Sequence, residues 1–337
     1  GPVLRALQTP TNIFPDAALY LQIYIGGFLF LFLYNVATGI FTALGDSRTP
    51  FYFLLASSVG NVVLDVLFVA GFDMGVAGVA WATFLAQGVS AVAAVWTLWR
   101  RLHRLMAEKE MGEEHIPLFT WPMLRRILRL AIPSILQQSF VSVGNLFIQG
   151  LVNGYGSSVI AGYSAAIKLN TFAITSFSTM SNAVSSFAAQ NIGGGKPDRV
   201  RSGFRAGLCM SLAIAVPFML LYLLAGAQMT GLFLREGGQQ AMETGRLFLL
   251  IVSPFYPCVM LKLLCDGVLR GAGFIRCFTM STFTDLVLRV ILAFAFSPWL
   301  GSVGIWISWP IGWTISAVLA FCFYRINLRK GTELSGR

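Results

Sequence analysis

The sequence predicts an all-α, polytopic membrane protein, and three observations carry that prediction. Long apolar runs recur along the chain, separated by short charged connections. Hydrophobic residues fill 56% of the 337 positions and charged residues only 11%, against roughly a quarter charged in ordinary soluble domains. The mean hydropathy is +0.72. A soluble core does not absorb so many apolar side chains. A bilayer does, because roughly 20 residues of helix span its hydrocarbon.

Nine spans follow in order: 17–44, 50–70, 74–99, 130–151, 157–189, 206–234, 246–269, 277–297 and 301–324. The first closes on Gly39-Ile-Phe-Thr-Ala-Leu-Gly45, and the third opens on Gly75-Val-Ala-Gly78. The fourth opens with Ile132-Pro133, and the fifth, dense in Ser and Thr, ends at Ala189-Gln-Asn-Ile-Gly193. The seventh closes on Gly267-Val-Leu-Arg-Gly-Ala-Gly273 and the ninth opens on Gly301-Ser-Val-Gly304. Pro254, Pro257 and Pro310 interrupt the seventh and ninth spans, where kinks are expected. Several spans exceed the bilayer's needs, so tilt or extension into water is expected.

The net charge of +10 is explained by orientation rather than by nucleic acid, since no soluble domain carries a basic stripe. Alternate connections (45–49, 100–129, 190–205, 270–276 and the tail) hold 18 of the 24 Lys and Arg residues. The opposite side has Arg5, Arg235 and Arg246, while Lys168, Lys262 and Arg289 fall inside spans. The positive-inside bias makes the rich side, and the C-terminus, cytoplasmic in a multi-pass plasma (inner) membrane protein.

The chain repeats itself. The closing Gly39–Gly45 and Gly267–Gly273 segments, with Arg48 and Arg276, match at an offset of 228. The first three spans therefore recur as the last three, in the same orientation, a parallel-repeat pattern found in secondary transporters. The second copy has three further helices ahead of its triplet, so a complete first copy would too, adding about 110 residues to make twelve helices. The start GPVLRALQTP, with neither initiator Met nor signal pattern, fits that expectation. Residues 1–99 are then the last three helices of an N-lobe, 100–129 a charged cytoplasmic inter-lobe loop, 130–324 a six-helix C-lobe and 325–337 a cytoplasmic tail.

Chemistry-bearing residues are few. Asn61 and Asp65 share one face of the second span, about 15 and 9 Å from its outer end, and Thr83 comes to a depth of about 14 Å. Carboxylate, amide and hydroxyl at similar depth can hold a hard monovalent cation, can stabilise a proton on Asp65, or can simply pack helices. The fourth span carries a polar stripe of Gln138, Ser142, Asn145, Gln149 and Asn153; the fifth carries Ser164, Lys168, Thr171, Thr175, Ser178 and Asn182. Facing stripes of this kind suit a hydrated cavity or interhelical packing. Lys262–Asp266 and Asp285–Arg289, each spaced i,i+4, are expected as structural ion pairs, with a coupling role as the sharper alternative. The five cysteines are expected as buried free thiols, and His103 and His115, both in one loop, offer little for a metal site. Gly193-Gly194-Gly195-Lys196 lacks the spacing and preceding strand of a phosphate loop.

In order and spacing, these segments resemble the multidrug and toxic compound extrusion (MATE) family. The carrying stretches are Tyr20-Leu-Gln-Ile, Gly45-Asp-Ser-Arg-Thr-Pro50, Asn61-Val-Val-Leu-Asp65, Gly75-Val-Ala-Gly-Val-Ala-Trp-Ala-Thr83, Ile132-Pro133, Ala189–Gly193 and Leu269-Arg-Gly-Ala-Gly273. The resemblance implies twelve helices in two lobes and antiport of cationic organic compounds against Na⁺ or H⁺. It puts the N-lobe cation site at Asp65, Asn61 and Thr83, with Tyr20 at its flank. The facing polar stripes, for their part, put Gln138, Asn145, Gln149, Asn153, Lys168 and Asn182 on a cavity. NorM-type members carry acids on the helices that here bear Gln137, Gln138 and Gln149, and Asp266 lies two turns beyond the expected acid, so the chain looks closer to the DinF-like branch. Implied partners are the lipid bilayer and small organic cations, with no cofactor, no nucleic acid and a monomeric state. The alternatives are a lipid-linked oligosaccharide flippase, for which Lys168, Lys262 and Arg289 would supply cations, and an inactive truncated product. An enzyme is disfavoured by the lack of intramembrane histidine and of a converging acid pair.

Overall fold

The computed structural model describes residues 14–108, 119–234 and 238–334. Arg5, His115, Arg235 and the middle of the inter-lobe loop lie outside the described residues. The chain divides into two compact units, Gly1–Ile116 and Pro117–Arg337. Among the described residues every regular element is helical.

The first unit holds α1 (Phe14–Ala43), α2 (Arg48–Val66, ending in a π-turn at Leu67–Gly71) and α3 (Gly75–Glu108). α1 bends by 42° between Phe14–Gly26 and Phe28–Ala43. The bend falls at Gly27, where a Cβ would lie only 3.2 Å from the Phe84 ring, so glycine lets α1 approach α3. Phe30 meets Phe84 edge-on at 5.3 Å, and Ala37, Phe41, Ala94 and Leu98 form a small core between the same two helices. None of the apolar window of α2 is buried, as suits a surface turned to lipid.

The second unit comprises α4 (Trp121–Asn153), α5 (Ser157–Gly193), α6 (Asp198–Gly231), α7 (Gln239–Val252), a 3₁₀ turn (Ser253–Phe255), α8 (Tyr256–Gly271), α9 (Ile275–Leu300) and α10 (Ser302–Leu334). The 3₁₀ turn holds Pro254, and Pro257 is the second residue of the helix that follows, so the expected interruption of the seventh span is real. α10, by contrast, stays helical through Pro310. Tyr163 stacks on Trp306 at 4.8 Å, Tyr222 donates to the Leu169 carbonyl at 2.7 Å, and Tyr256 donates to Asn170 Oδ1 at 3.1 Å. The Tyr222 and Tyr256 phenols thus find the acceptors that an apolar interior demands.

Several helices overrun the spans expected from hydropathy. α3 continues to Glu108, α4 begins at Trp121, α6 begins at Asp198 and α10 reaches Leu334. Hydropathy ends where apolar side chains end, but hydrogen-bonded helix continues into the Arg-rich flanks, where water accepts the side chains. Among the described residues, seven helical segments are long and apolar enough to cross a membrane, and the bent α1 makes an eighth. α5 is absent from that set because its Ser, Thr and Asn residues dilute its hydropathy. The cysteines are free, as expected, but only Cys265 is buried; Cys209 and Cys322 are exposed.

The repeat is visible in backbone detail. Gly45 and Gly273 both adopt left-handed φ, +81° and +83°. Around them the bonds repeat too: Gly45 N–H to Thr42 O and Asp46 N–H to Phe41 O, then Gly273 N–H to Arg270 O and Phe274 N–H to Leu269 O. This is the Schellman cap, which only a residue free of Cβ adopts without strain. Gly195 ends α5 the same way, so the glycine run there is a helix cap. Asp46 extends the first cap: its carboxylate accepts the Thr49 N–H at 3.0 Å, the Thr49 hydroxyl at 2.8 Å and the Arg48 N–H at 3.1 Å, and pairs with Arg101. The Thr49 bonds first, then Arg101, hold its pKa below the usual carboxylate range. The cap therefore persists at neutral pH and weakens only as pH falls through that lowered value.

Where the two copies differ is packing. A Cβ on Gly267 would lie 2.5 Å from the Ser181 carbonyl oxygen, whereas at Gly39 nothing lies within 4 Å. Gly267→Ala should destabilise the protein by about 1–3 kcal/mol through overpacking of α5 against α8. Gly39→Ala should be neutral or slightly stabilising, by up to about 1 kcal/mol. Thermal unfolding of both variants in the same detergent checks the contrast.

Candidate functional site: two polar cavities

In the first unit, α1, α2 and α3 enclose a pocket of about 220 Å³. Asn61 Nδ2 donates to Thr83 Oγ1 at 3.5 Å, and the Ser57 hydroxyl donates to the Ala86 carbonyl at 3.3 Å. Tyr34, Ser57, Asn61, Thr83, Gln87 and Ser90 give the pocket its polar wall. Asp65 sits one helical turn beyond Asn61, outside that wall, with Oδ1 buried and without a hydrogen-bond partner. Tyr20 is not at the wall either: it stacks on Tyr24 at 6.1 Å, and Tyr34, about four turns further along the bent α1, lines the pocket instead. The missed residues had a signal. Ser57, Asn61 and Asp65 repeat at i,i+4 on α2, and Thr83, Gln87 and Ser90 recur at i,i+4,i+7 on α3.

The second unit contains a larger cavity of about 640 Å³ among α4, α5, α8, α9 and α10. From α4 come Gln138, Asn145 and Gln149 of the expected stripe. Asn153 lies beyond the cavity, accepting from Gln149 Nε2 at 2.9 Å. From α5, Asn182 lines the cavity, but Lys168 does not: it is exposed, and its Nζ lies 5.9 Å from the Phe233 ring centre. The reason is helical phase. The α5 cavity face runs through Ile167, Asn170, Ile174 and Ser178, and Lys168 is turned about 100° from Ile167.

The charged residues behave differently from one another. Lys262 and Asp266, both almost fully buried, form the expected ion pair at 3.1 Å. The second expected pair is not formed: no Asp285–Arg289 contact falls within 4 Å among the described ion pairs. Arg289 instead lies with Cζ 4.4 Å from the Trp309 ring centre, and Asp285 presses its Oδ1 toward Gly312 without a hydrogen-bond partner. Sequence reasoning missed Arg270, whose Nη2 donates to Asn182 Oδ1 at 2.6 Å. Its i,i+4 spacing from Asp266 and i,i+8 from Lys262 on α8 was the available clue. Among the described residues no three His, Cys, Asp or Glu side chains converge as metal ligands.

A helical, multi-pass chain with polar cavities inside its helix clusters, built on a parallel internal repeat, defines a membrane transporter. The chain belongs to the MATE family: the MatE family model matches residues 1–67 and 133–295. It is 32% identical to the probable multidrug resistance protein YpnP of Bacillus subtilis over 98% of this chain and 73% of that protein. It is 24% identical to the DNA damage-inducible protein F of Escherichia coli, over 85% of this chain and 61% of that protein. Its fold matches the crystal structure of a Vibrio cholerae MATE transporter, VcmN, with a TM-score of 0.87 at 19% identity, over 98% of this chain and 73% of that one.

The buried ion pair generates a prediction. Lys262→Met should destabilise the protein by about 3–5 kcal/mol, because Asp266 would be left charged and unpaired in an apolar interior. Adding Asp266→Leu should recover most of that loss. Thermal stability of the single and double variants in detergent measures both.

Proposed function

We propose that the protein is a secondary active antiporter that exports cationic organic compounds in exchange for Na⁺ or H⁺ by alternating access, with Asp65 as the coupling residue. The observation that carries this reading is the buried Asp65 Oδ1, unpartnered one turn from the Asn61–Thr83 contact. A carboxylate among apolar spans is retained only where it faces a partner or exchanges an ion. Proton and Na⁺ would compete for the same oxygens, and Asn61 and Thr83 would supply the uncharged oxygen ligands or the hydrogen bonds that stabilise the neutral acid. The Arg-rich helix ends would face the cytoplasm, the C-terminus among them. Of the three cations the flippase alternative would use, Lys168 is turned from the cavity and Lys262 is neutralised by Asp266, which leaves Arg289 alone at the cavity wall.

Asp65→Asn should reduce ion-driven efflux of a cationic dye from proteoliposomes to the level of protein-free vesicles while leaving insertion and thermal stability intact. Efflux undiminished in that variant would reject Asp65 as the coupling residue. Running the assay with a Na⁺ gradient and with a pH gradient identifies the ion.

A further inference from the structure

Five charged side chains border the cavity of the second unit: Lys262, Arg270 and Arg289 against Asp266 and Asp285. One positive charge is therefore in excess. Lys262 is spent on Asp266, and Arg270 is anchored on Asn182. Arg289 has no such partner. It is only 6% exposed, its Nε makes no hydrogen bond, and among the described residues no carboxylate oxygen lies within 4 Å of it. The Trp309 ring at 4.4 Å compensates the charge only in part and leaves the donor fork of the guanidinium without an oxygen acceptor. Trp309 Nε1 is a second buried donor without a partner at the same wall.

A buried, unpaired guanidinium is costly, and the group that best relieves it is an oxyanion bound through two parallel N–H donors. The geometry points to an acid-bearing ligand in this cavity: a carboxylate docks on Arg289, with an aromatic body against Trp309 and Trp313. Asp285, one turn earlier on α9 and bordering the same cavity, balances a cationic amine on the same molecule. The exported organic amine then carries an acid group as well, and Arg289 is the residue that selects it. This inference rests on the reading above that the protein exports organic compounds, and it adds the acid group and the residue that selects it.

The test is a matched pair of xanthene dyes, one with a free benzoate and the other its methyl ester, titrated onto the purified protein in detergent with intrinsic tryptophan fluorescence as readout. The free acid should bind about tenfold more tightly, the equivalent of about 1.4 kcal/mol. Arg289→Gln should bring that ratio to about one through loss of acid affinity, whereas Lys168→Gln, outside the cavity, should preserve it. Equal binding of acid and ester by the unaltered protein overturns the inference, as does an equal loss of both in Arg289→Gln. Should Arg289→Gln fail to fold, the ratio in the unaltered protein and its suppression by excess benzoate decide the matter. Binding in detergent needs no gradient. Acid preference without ion-driven efflux would sink the antiport reading alone, and efflux without acid preference would sink this inference alone.

Discussion

Inside a bilayer a backbone N–H or C=O has no water to turn to, so each must find its partner within its own helix. Most of this architecture follows from that condition. The chain becomes a series of long helices, and their ends must be closed where the hydrogen-bond ladder runs out. The Schellman caps at Gly45, Gly195 and Gly273 do this at three helix ends. Beyond those caps the helices carry arginine, whose side chains reach water while the apolar segments stay in lipid.

The same condition governs polar side chains. Serine and threonine hydroxyls along the helices return to carbonyls of the preceding turn, as Thr171 does to Ile167 and Thr230 to Gly226. Longer polar groups cannot do so and gather where helices leave space between them. α5 is the clearest case. Its polar content keeps its hydropathy below that of its neighbours, yet it is heavily buried, because one face packs on α6, α7 and α8 and another lines the larger cavity. Charges follow the rule most strictly: Lys262 and Asp266 survive in the interior as a pair, while Arg289 leans on an aromatic ring.

The two copies of the repeated triplet share capping geometry but not packing. Gly75 and Gly301 both open their helices with left-handed φ, and the following Gly78 and Gly304 both press against a phenylalanine, Phe68 and Phe296. Against this, Gly267 touches Ser181 where Gly39 has open space. Local backbone requirements are thus held in common, while the contacts made by each triplet are its own.

Fold class, helix order, the repeat and the capping glycines were legible in the sequence, since each depends on local composition or on a residue's own φ. So was the self-neutralising pair Lys262–Asp266, because i,i+4 spacing on a regular helix fixes the distance. Helix phase was not legible. Lys168 and Thr171 are both within one turn on α5, yet only Thr171 lines the cavity, because packing of neighbouring helices chooses which arc of α5 faces inward. The same choice left Tyr20 away from the Asn61 pocket and brought Tyr34 to it, after a bend at Gly27 set by the Phe84 ring. It also separated Asp285 from Arg289, whose spacing alone suggested a pair, by giving the guanidinium a tryptophan face on another helix. Sequence determined which residues are helical and which are polar; only tertiary packing decided which of them meet, because that depends on rotation and crossing of helices distant in the chain.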